Sequence, residues 1–283
     1  MTTTARHSGS RPATRVLVPA LALLLALWAA VPLLWMLITA FKPGTAIRTS
    51  DVTLSFAPTL DNFRNLFLGG NRAGTFLLNS LLVTGVSTVI AVTLGCMAGY
   101  GLAHWASRYR TDVAFWVLST RMAPIAAVIV PLFVMFRSAG LVDTIPGLVL
   151  AHLSFNLPFA VWLMSAFFGR VPASVEEAAL LDGCTKWRRF LTVSLPMARP
   201  GVVTTAVLCM VFSWNDYAFS SALSGPDTAT LPQAAGALVT QSGIDWGLLC
   251  ALGVVVAVPM LVAGLAVRRH LVTGLSLGAV TGE

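Results

Sequence analysis

Residues 75–103 read TFLLNSLLVTGVSTVIAVTLGCMAGYGLA and contain no Asp, Glu, Lys or Arg. A helix needs about 20 mainly apolar residues to cross the hydrocarbon core of a bilayer, and this stretch is longer than that. Further apolar segments surround it at Val16–Phe41, Val113–Phe136, Pro146–Phe168, Gly201–Leu223 and Gly247–Val267. Together the six segments predict an all-α integral membrane protein with six transmembrane helices.

The composition of the whole chain supports this interpretation. Hydrophobic residues make up 57% of the 283 residues, charged residues make up 10%, and the mean hydropathy is +0.82. A soluble domain carries about a quarter charged residues, because its surface faces water. The first apolar segment exceeds the roughly 7–15 residues of a signal-peptide core and precedes no clear small-x-small cleavage site, so we interpret it as a retained span.

The Lys and Arg residues are distributed unevenly among the segments that connect the spans. Six spans place both termini on the same side of the membrane. Twelve Lys and Arg residues then lie on the side of the termini, and Arg121 lies inside the third span. The other side has only Lys42, Arg48, Arg64, Arg72 and Arg137. Cytoplasmic segments of membrane proteins are enriched in Lys and Arg, so both termini are predicted to be cytoplasmic, which fits six spans. The net charge of +7 forms no basic patch, and no nucleic-acid partner is expected.

These boundaries divide the chain into five predicted regions. They are an N-terminal tail at 1–15, a first transmembrane helix at 16–41, an extracytoplasmic loop at 42–74, a core at 75–268 with a long cytoplasmic loop at 170–199, and a C-terminal tail at 269–283. In the second span, Gly95 and Gly99 form a GxxxG pair, which predicts close packing against another helix. Pro131, Pro158 and Pro259 lie within spans and predict kinks.

The loop at 170–199 holds most of the charge in the middle of the chain. Ser174 precedes Glu177 by three residues, which predicts a capping box at the start of a short helix. Gly183 interrupts this helix, and a basic amphipathic piece follows and ends at Pro196. The residues alone leave two interpretations open: a hairpin that lies on the lipid surface, and a docking element for a cytoplasmic partner.

This loop resembles the EAA loop of ABC importer permeases, in which EAA is followed after three residues by Gly and after nine more by I-x-L-P. Here the pattern is Glu177-Ala178-Ala179, Gly183 and Val193-x-Leu195-Pro196, with Val in place of Ile. Further motifs along nearly the whole chain are similar to those of the sugar-type members: FKP at 41–43, TLDNF at 59–63, NSL at 79–81, LPF at 157–159, SWND at 213–216, TLP at 230–232, DWG at 245–247 and GLSLGAV at 274–280.

The resemblance implies a coupling helix that sits in a cleft of an ATPase subunit and carries the closure of that subunit to the spans. The residues that it assigns to this role are Glu176, Glu177, Ala178, Ala179, Asp182, Gly183, Leu195 and Pro196. It also implies a second permease subunit, two cytoplasmic ATPase subunits and an extracytoplasmic solute-binding protein, in the cytoplasmic membrane of a bacterium. The loops at 42–74 and 225–247 are then the surfaces expected to meet the solute-binding protein, with a solvated linker as the alternative.

No catalytic motif is found in the sequence. There is no GxxxxGK[ST], HExxH or GxSxG, and the two lysines follow no glycine-rich loop. The four cysteines and four histidines show no metal-ligand spacing. We therefore expect a transport subunit that is not an enzyme and has no cofactor or metal of its own, with ATP and Mg bound by the partner ATPase.

Ionisable groups inside spans are costly, so they are candidates for a transport pathway. Arg121 and Asp216 are two such groups, and Asn156, Asn215 and Trp214 are predicted to line the same pathway. The alternatives are a structural Arg121–Asp216 pair and an arginine that extends to the membrane interface.

The expected cargo is a carbohydrate, in the sense of a sugar, an oligosaccharide or a polyol. An ABC permease for glycerol phosphate, an ion-driven secondary transporter and a membrane-embedded enzyme are the alternatives. A secondary transporter should have paired repeats, broken helices and intramembrane carboxylates, and Asp216 is the only clear carboxylate candidate. An enzyme would need a nucleophile with a base, or a metal cluster, and the sequence indicates neither.

Overall fold

The computed structural model describes residues 12–47, 55–70, 72–240 and 243–276, with side chains at 17–47, 55–70, 72–239 and 243–265. The helices in chain order are α1 (Pro12–Ala40), α2 (Gly44–Ile47), α3 (Asp61–Leu68), α4 (Ala73–Ala103), α5 (Arg110–Ser119), α6 (Ile125–Ser138), α7 (Ile145–Phe168), α8 (Ala173–Leu181), α9 (Lys186–Arg189), α10 (Leu195–Met197), α11 (Arg199–Trp214), α12 (Ala218–Leu223), α13 (Leu231–Ala237) and α14 (Trp246–Ser276). A 3₁₀ turn (Thr120–Met122) precedes α6, and a π-helical turn (Phe190–Ser194) precedes α10.

One small hairpin departs from the predicted all-α class. Strands β1 (Val239–Thr240) and β2 (Gly243–Ile244) pair antiparallel, with Val239 opposite Ile244. The hairpin lies between α13 and α14, in the predicted outer loop. The rest of the described chain is helical or irregular, so the predicted class is confirmed.

Four single helices in the described part of the chain are long and apolar enough to cross a bilayer. They are Leu17–Ala40 within α1, Ala73–Ala103, Ile145–Phe168 and Trp246–Leu265 within α14. Two bent helix pairs reach the same criterion only when each pair is counted together, namely Arg110–Met122 with Ile125–Ser138 and Lys186–Met197 with Arg199–Trp214. The described residues therefore contain four to six candidate spans by length and composition.

The third and fifth spans are not the continuous helices that the sequence predicts. The segment Val113–Phe136 is bent by 85° between the 3₁₀ turn and α6. The reason is Pro124, because a proline disfavours helical backbone at the residue before it, and Ala123 is extended (ψ 134°). The segment Gly201–Leu223 is divided between α11 and α12 by three non-helical residues.

Close packing of α4 against α7 forms the centre of the bundle. A Cβ atom added to Gly95 would lie 2.6 Å from the Cβ of Ala160, and one added to Gly99 would lie 2.8 Å from the Cβ of Met164. Neither position has room for a side chain, so the GxxxG prediction is confirmed and α7 is the partner helix. The three prolines that were expected to mark kinks lie inside α6, α7 and α14.

Several motifs that carry the family resemblance contact one another at the end of α4 away from α8. Asn79 donates hydrogen bonds to the carbonyl oxygens of Asp227 (2.9 Å) and Ala229 (3.0 Å). The hydroxyl of Ser80 accepts one from the backbone N–H of Leu231 (2.9 Å). The NSL motif at 79–81 therefore binds the segment that leads into the TLP motif at 230–232. Its side chains form hydrogen bonds with backbone groups that would otherwise be unpaired.

Candidate functional site

Helix α8 begins two residues earlier than the capping-box prediction. Pro172 stands at the N-cap position with an extended backbone, and no side chain caps the helix. Ser174 is already the second helical residue, so it is not placed to cap the first turn. The capping-box prediction is wrong because Pro172, with its fixed φ, starts the helix itself.

The C-terminal end of α8 explains the spacing between Ala179 and Gly183. The N–H of Gly183 donates to the carbonyl of Leu180, and the N–H of Cys184 donates to the carbonyl of Ala179, both at 3.0 Å. These two bonds form a Schellman motif, with Asp182 as the C-cap residue. Gly183 has φ +77°, and a Cβ atom there would meet nothing within 4 Å. Glycine is therefore required for its backbone conformation, not for space.

The two glutamates at the start of α8 face different surroundings. Glu176 is 5% exposed, and Ala179 on the same side is also buried. Glu177 and Ala178 are exposed. The exposed side is extended by Leu181, which is 90% exposed. Leu180 is also 47% exposed, so two adjacent leucines form an apolar patch at the end of α8, and contiguous exposed apolar patches are typical of protein contact surfaces.

The buried carboxylate of Glu176 connects α8 to two other elements. One oxygen accepts a hydrogen bond from the hydroxyl of Ser194 at 2.5 Å, in the π-helical turn. The other oxygen lies 2.5 Å from Nε2 of His104, which follows the last residue of α4. Charge-assisted hydrogen bonds of this kind are the strong ones, and together they satisfy both oxygens.

A cluster of aromatic side chains packs beside these contacts. The hydroxyl of Tyr100 accepts a hydrogen bond from Nε of Arg189 at 3.0 Å. The tyrosine ring lies 5.3 Å from the ring of Phe168 and 5.0 Å from that of Phe190. Leu195 packs against the same cluster, whereas Pro196 is exposed. The predicted coupling residues thus divide into an exposed set and a set packed into the bundle.

A second feature is a cavity of about 390 Å³ at the breaks in the third and fifth spans. Its lining residues come from the 3₁₀ turn, α6, α7, α11 and α12, and are Thr120, Arg121, Ala123, Ile125, Val128, Ser154, Phe155, Phe212, Asp216 and Phe219. Two of the five predicted pathway residues, Arg121 and Asp216, are therefore brought together at one cavity.

Arg121 and Asp216 do not form the ion pair that was one alternative. The guanidinium carbon of Arg121 lies 3.9 Å from the ring centroid of Phe212 and 4.7 Å from that of Phe159, which is cation–π geometry. Asp216 lies instead against His152, whose Nε2 is 3.3 Å from Oδ2. The ring of His152 is 1% exposed, and neither of its nitrogens has a well-aligned hydrogen bond to any residue that the structure describes.

The side chain of Asp216 caps the first turn of α12. Its oxygens accept hydrogen bonds from the backbone N–H groups of Phe219 (3.3 Å) and Ser220 (3.0 Å), and from the hydroxyl of Ser220 (3.1 Å). A helix that begins at a break leaves its first N–H groups without partners, and a carboxylate is well suited to satisfy them. The adjacent Asn215 is exposed and donates to the carbonyl of Val211.

The other two predicted pathway residues connect helices. Asn156 is fully buried and donates to the hydroxyl of Ser213 (2.7 Å) and the carbonyl of Cys209 (3.2 Å), which joins α7 to α11. Trp214 is buried, and its Nε1 donates to the carbonyl of Val256 (3.1 Å), which joins α11 to α14. Neither side chain lines the cavity.

Sequence reasoning missed His104, His152 and Ser194. The histidines were considered only as metal ligands, and the described residues contain no group of three that could hold a metal. His152 lies inside a predicted span, so the rule applied to Arg121 and Asp216 could have identified it. No local pattern indicates that His104 and Ser194 meet Glu176.

The sequence comparisons agree with this architecture. A protein family described as the binding-protein-dependent transport system inner membrane component matches residues 91–272. The chain belongs to this family. As a permease of this kind, it is a subunit of a membrane transport system that works with a binding protein, and the earlier resemblance is confirmed.

Relatives extend the likeness beyond the matched residues. The chain is 35% identical over 258 residues to the trehalose transport system permease protein SugB of Mycobacterium tuberculosis, covering 90% of this chain and 93% of that protein. It is 34% identical over 261 residues to the diacetylchitobiose uptake system permease protein NgcG of Streptomyces coelicolor, covering 90% and 86%. A chain of a bacterial ABC transporter involved in alginate import superposes with a TM-score of 0.73 at 22% identity, covering 92% of this chain and 98% of that one, and shows the same fold.

Proposed function

We propose that this permease is one transmembrane subunit of an ATP-driven importer that moves a carbohydrate across the cytoplasmic membrane of a bacterium. The observation that carries the proposal is α8, a short helix with one side anchored in the bundle and an exposed, partly apolar other side. Such a helix suits a groove on a partner protein. The partner is an ATPase subunit that binds ATP and Mg, and the permease contributes no catalysis of its own.

The names of the relatives support a carbohydrate as cargo. Two relatives are described as permeases for trehalose and diacetylchitobiose. A third, from Agrobacterium fabrum, is 28% identical to this chain and is described as a permease for sulfoquinovosyl glycerol. All three substrates contain sugar units. A phosphorylated polyol is the alternative that an uptake assay should include.

The cavity at the broken spans is the proposed section of the pathway in this subunit. The rings of Phe155 and Phe219 stack at 5.6 Å with an angle of 14°, and Arg121 and Phe212 lie on the same lining. Aromatic faces suit the apolar faces of a sugar ring, and a guanidinium donates hydrogen bonds to hydroxyl groups. A second permease subunit is proposed to complete the pathway, and a solute-binding protein to deliver the sugar to it.

The exposed side of α8 provides the test of this function. Uptake of radiolabelled trehalose, diacetylchitobiose and glycerol phosphate is measured in cells that express the complete importer, with and without depletion of ATP. Leu181→Asp places a charge on the docking side and is expected to abolish uptake and to reduce the ATPase that copurifies with the permease about tenfold or more.

Leu68→Asp is the matched control. Leu68 is 78% exposed at the end of α3, on the part of the bundle away from α8, so this charge should leave the amount of copurified ATPase unchanged. Uptake that persists without ATP, or a copurified ATPase that is unaffected by Leu181→Asp, would contradict the proposed function.

A further inference from the structure

The attachment of α8 to the bundle depends on a chain of three side chains. His104 at the end of α4, Glu176 in α8 and Ser194 in the π-helical turn are joined by two contacts of 2.5 Å. Glu176 is 5% exposed and Ser194 is fully buried. A buried carboxylate must be fully hydrogen-bonded, so both partners are needed to keep Glu176 in place.

The orientation of His104 is fixed by its own helix. Its Nδ1 lies 2.9 Å from the carbonyl oxygen of Tyr100, and the two rings are 4.2 Å apart. Nδ1 and Nε2 therefore each face an oxygen atom, one of the Tyr100 carbonyl and one of the Glu176 carboxylate. The contact of the imidazole with Glu176 thus joins α4 to α8 in a fixed orientation.

These three side chains are separate from the surface proposed to meet the ATPase. Glu176 faces into the bundle, whereas Glu177, Ala178 and Leu181 face outward. A change at His104 therefore leaves the docking side of α8 intact. This separation allows docking and transmission of movement to be tested independently.

Helix α4 connects this link to the opposite end of the bundle. It runs without interruption from Ala73 to Ala103 and packs closely on α7 at Gly95 and Gly99. At its far end, Asn79 and Ser80 bind the segment at 227–231. A rigid helix held at both ends can transmit a displacement of α8 across the protein.

We propose that the His104–Glu176–Ser194 link makes α4 move with α8, and that His104 is a positioning residue that sets how much solute is transported per ATP hydrolysed. The proposal rests on the proposed function and adds an internal link to it. The ATPase pushes on the exposed side of α8, and the buried side passes the displacement to α4 through the Glu176 carboxylate.

The test uses the complete importer in proteoliposomes and measures solute transported per ATP hydrolysed. His104→Phe retains a ring against Tyr100 but removes the hydrogen bond to Glu176. The ratio is expected to fall about threefold or more, as for residues that couple distant sites, while the ATPase still copurifies at the wild-type level. His104→Gln restores an N–H donor and is expected to return the ratio towards wild type.

Thr192→Val is the matched control in the same segment, because the exposed Thr192 hydroxyl donates to the carbonyl of Arg188 in its own turn and has no contact with the link. Ser194→Ala, which removes the other hydrogen bond to Glu176, replaces His104→Phe if that permease is not recovered folded from the membrane. A wild-type ratio of solute transported to ATP hydrolysed in the tested variant, His104→Phe or its replacement Ser194→Ala, would overturn the link. A loss of copurified ATPase in that variant would overturn it as well. Failure of the wild-type importer to transport with ATP would instead overturn the proposed function.

Discussion

The adjacent residues Glu176 and Glu177 have the same chemistry and opposite environments. Glu176 is buried and bonded on both oxygens, whereas Glu177 is exposed. The resemblance assigns both to a coupling role, and the sequence alone does not distinguish them. The distinction follows from the helix, because neighbouring residues lie about 100° apart around its axis and only one of them can face the bundle.

At Gly183 we predict that the residue is required by its backbone conformation. Gly183→Ala should lower uptake and the amount of copurified ATPase, because a left-handed conformation costs an L-residue about 1–2 kcal/mol and the Schellman motif would be weakened. Gly183→Asn should be less harmful, since Asn tolerates this conformation. Gly101→Ala is the control, because Gly101 is helical and has nothing within 4 Å of its missing Cβ. Equal uptake in the Ala and wild-type proteins would contradict the prediction.

Among the elements, two spans are broken, and the pattern of apolar residues does not reveal these breaks. The third and fifth segments are continuous in hydropathy, yet Pro124 bends one and residues 215–217 interrupt the other. Breaks inside a membrane protein are tolerated where side chains satisfy the freed backbone groups. Asp216 does so for α12, and the cavity lies where the two breaks meet.

The cap of α12 gives a prediction that separates hydrogen bonding from charge. Asp216→Ala should destabilise the permease by about 1 kcal/mol, because the N–H groups of Phe219 and Ser220 lose their acceptor. Asp216→Asn keeps one of the two acceptor oxygens, so it should retain part of the cap and unfold thermally in detergent between Asp216→Ala and wild type. Asn215→Ala, at an exposed neighbouring side chain, should have no effect. Equal destabilisation by the Asn and Ala variants at 216 would show that the negative charge beside His152 is what stabilises the region.

For the whole molecule, composition and charge predict the class, and long-range contacts determine how the site works. The apolar runs of α4 and α7 are sufficient to predict spans, and Gly95 and Gly99 indicate where α4 packs. The contact of His104 with Glu176 joins residues more than seventy positions apart. No periodicity encodes such a contact, because it depends on how α4 and α8 are brought together by packing elsewhere.

The last prediction concerns which ends of the bundle face the two sides of the membrane. The alternation of Lys and Arg predicts that the end carrying α8 is cytoplasmic. In a variant without the four native cysteines, Asp227→Cys at the opposite end should react with a membrane-impermeant thiol reagent in intact spheroplasts. Ala106→Cys, in the exposed turn after α4, should react only after permeabilisation. Because α4 connects the two positions, each is the control for the other, and reaction of Ala106→Cys in intact spheroplasts would reverse the predicted orientation.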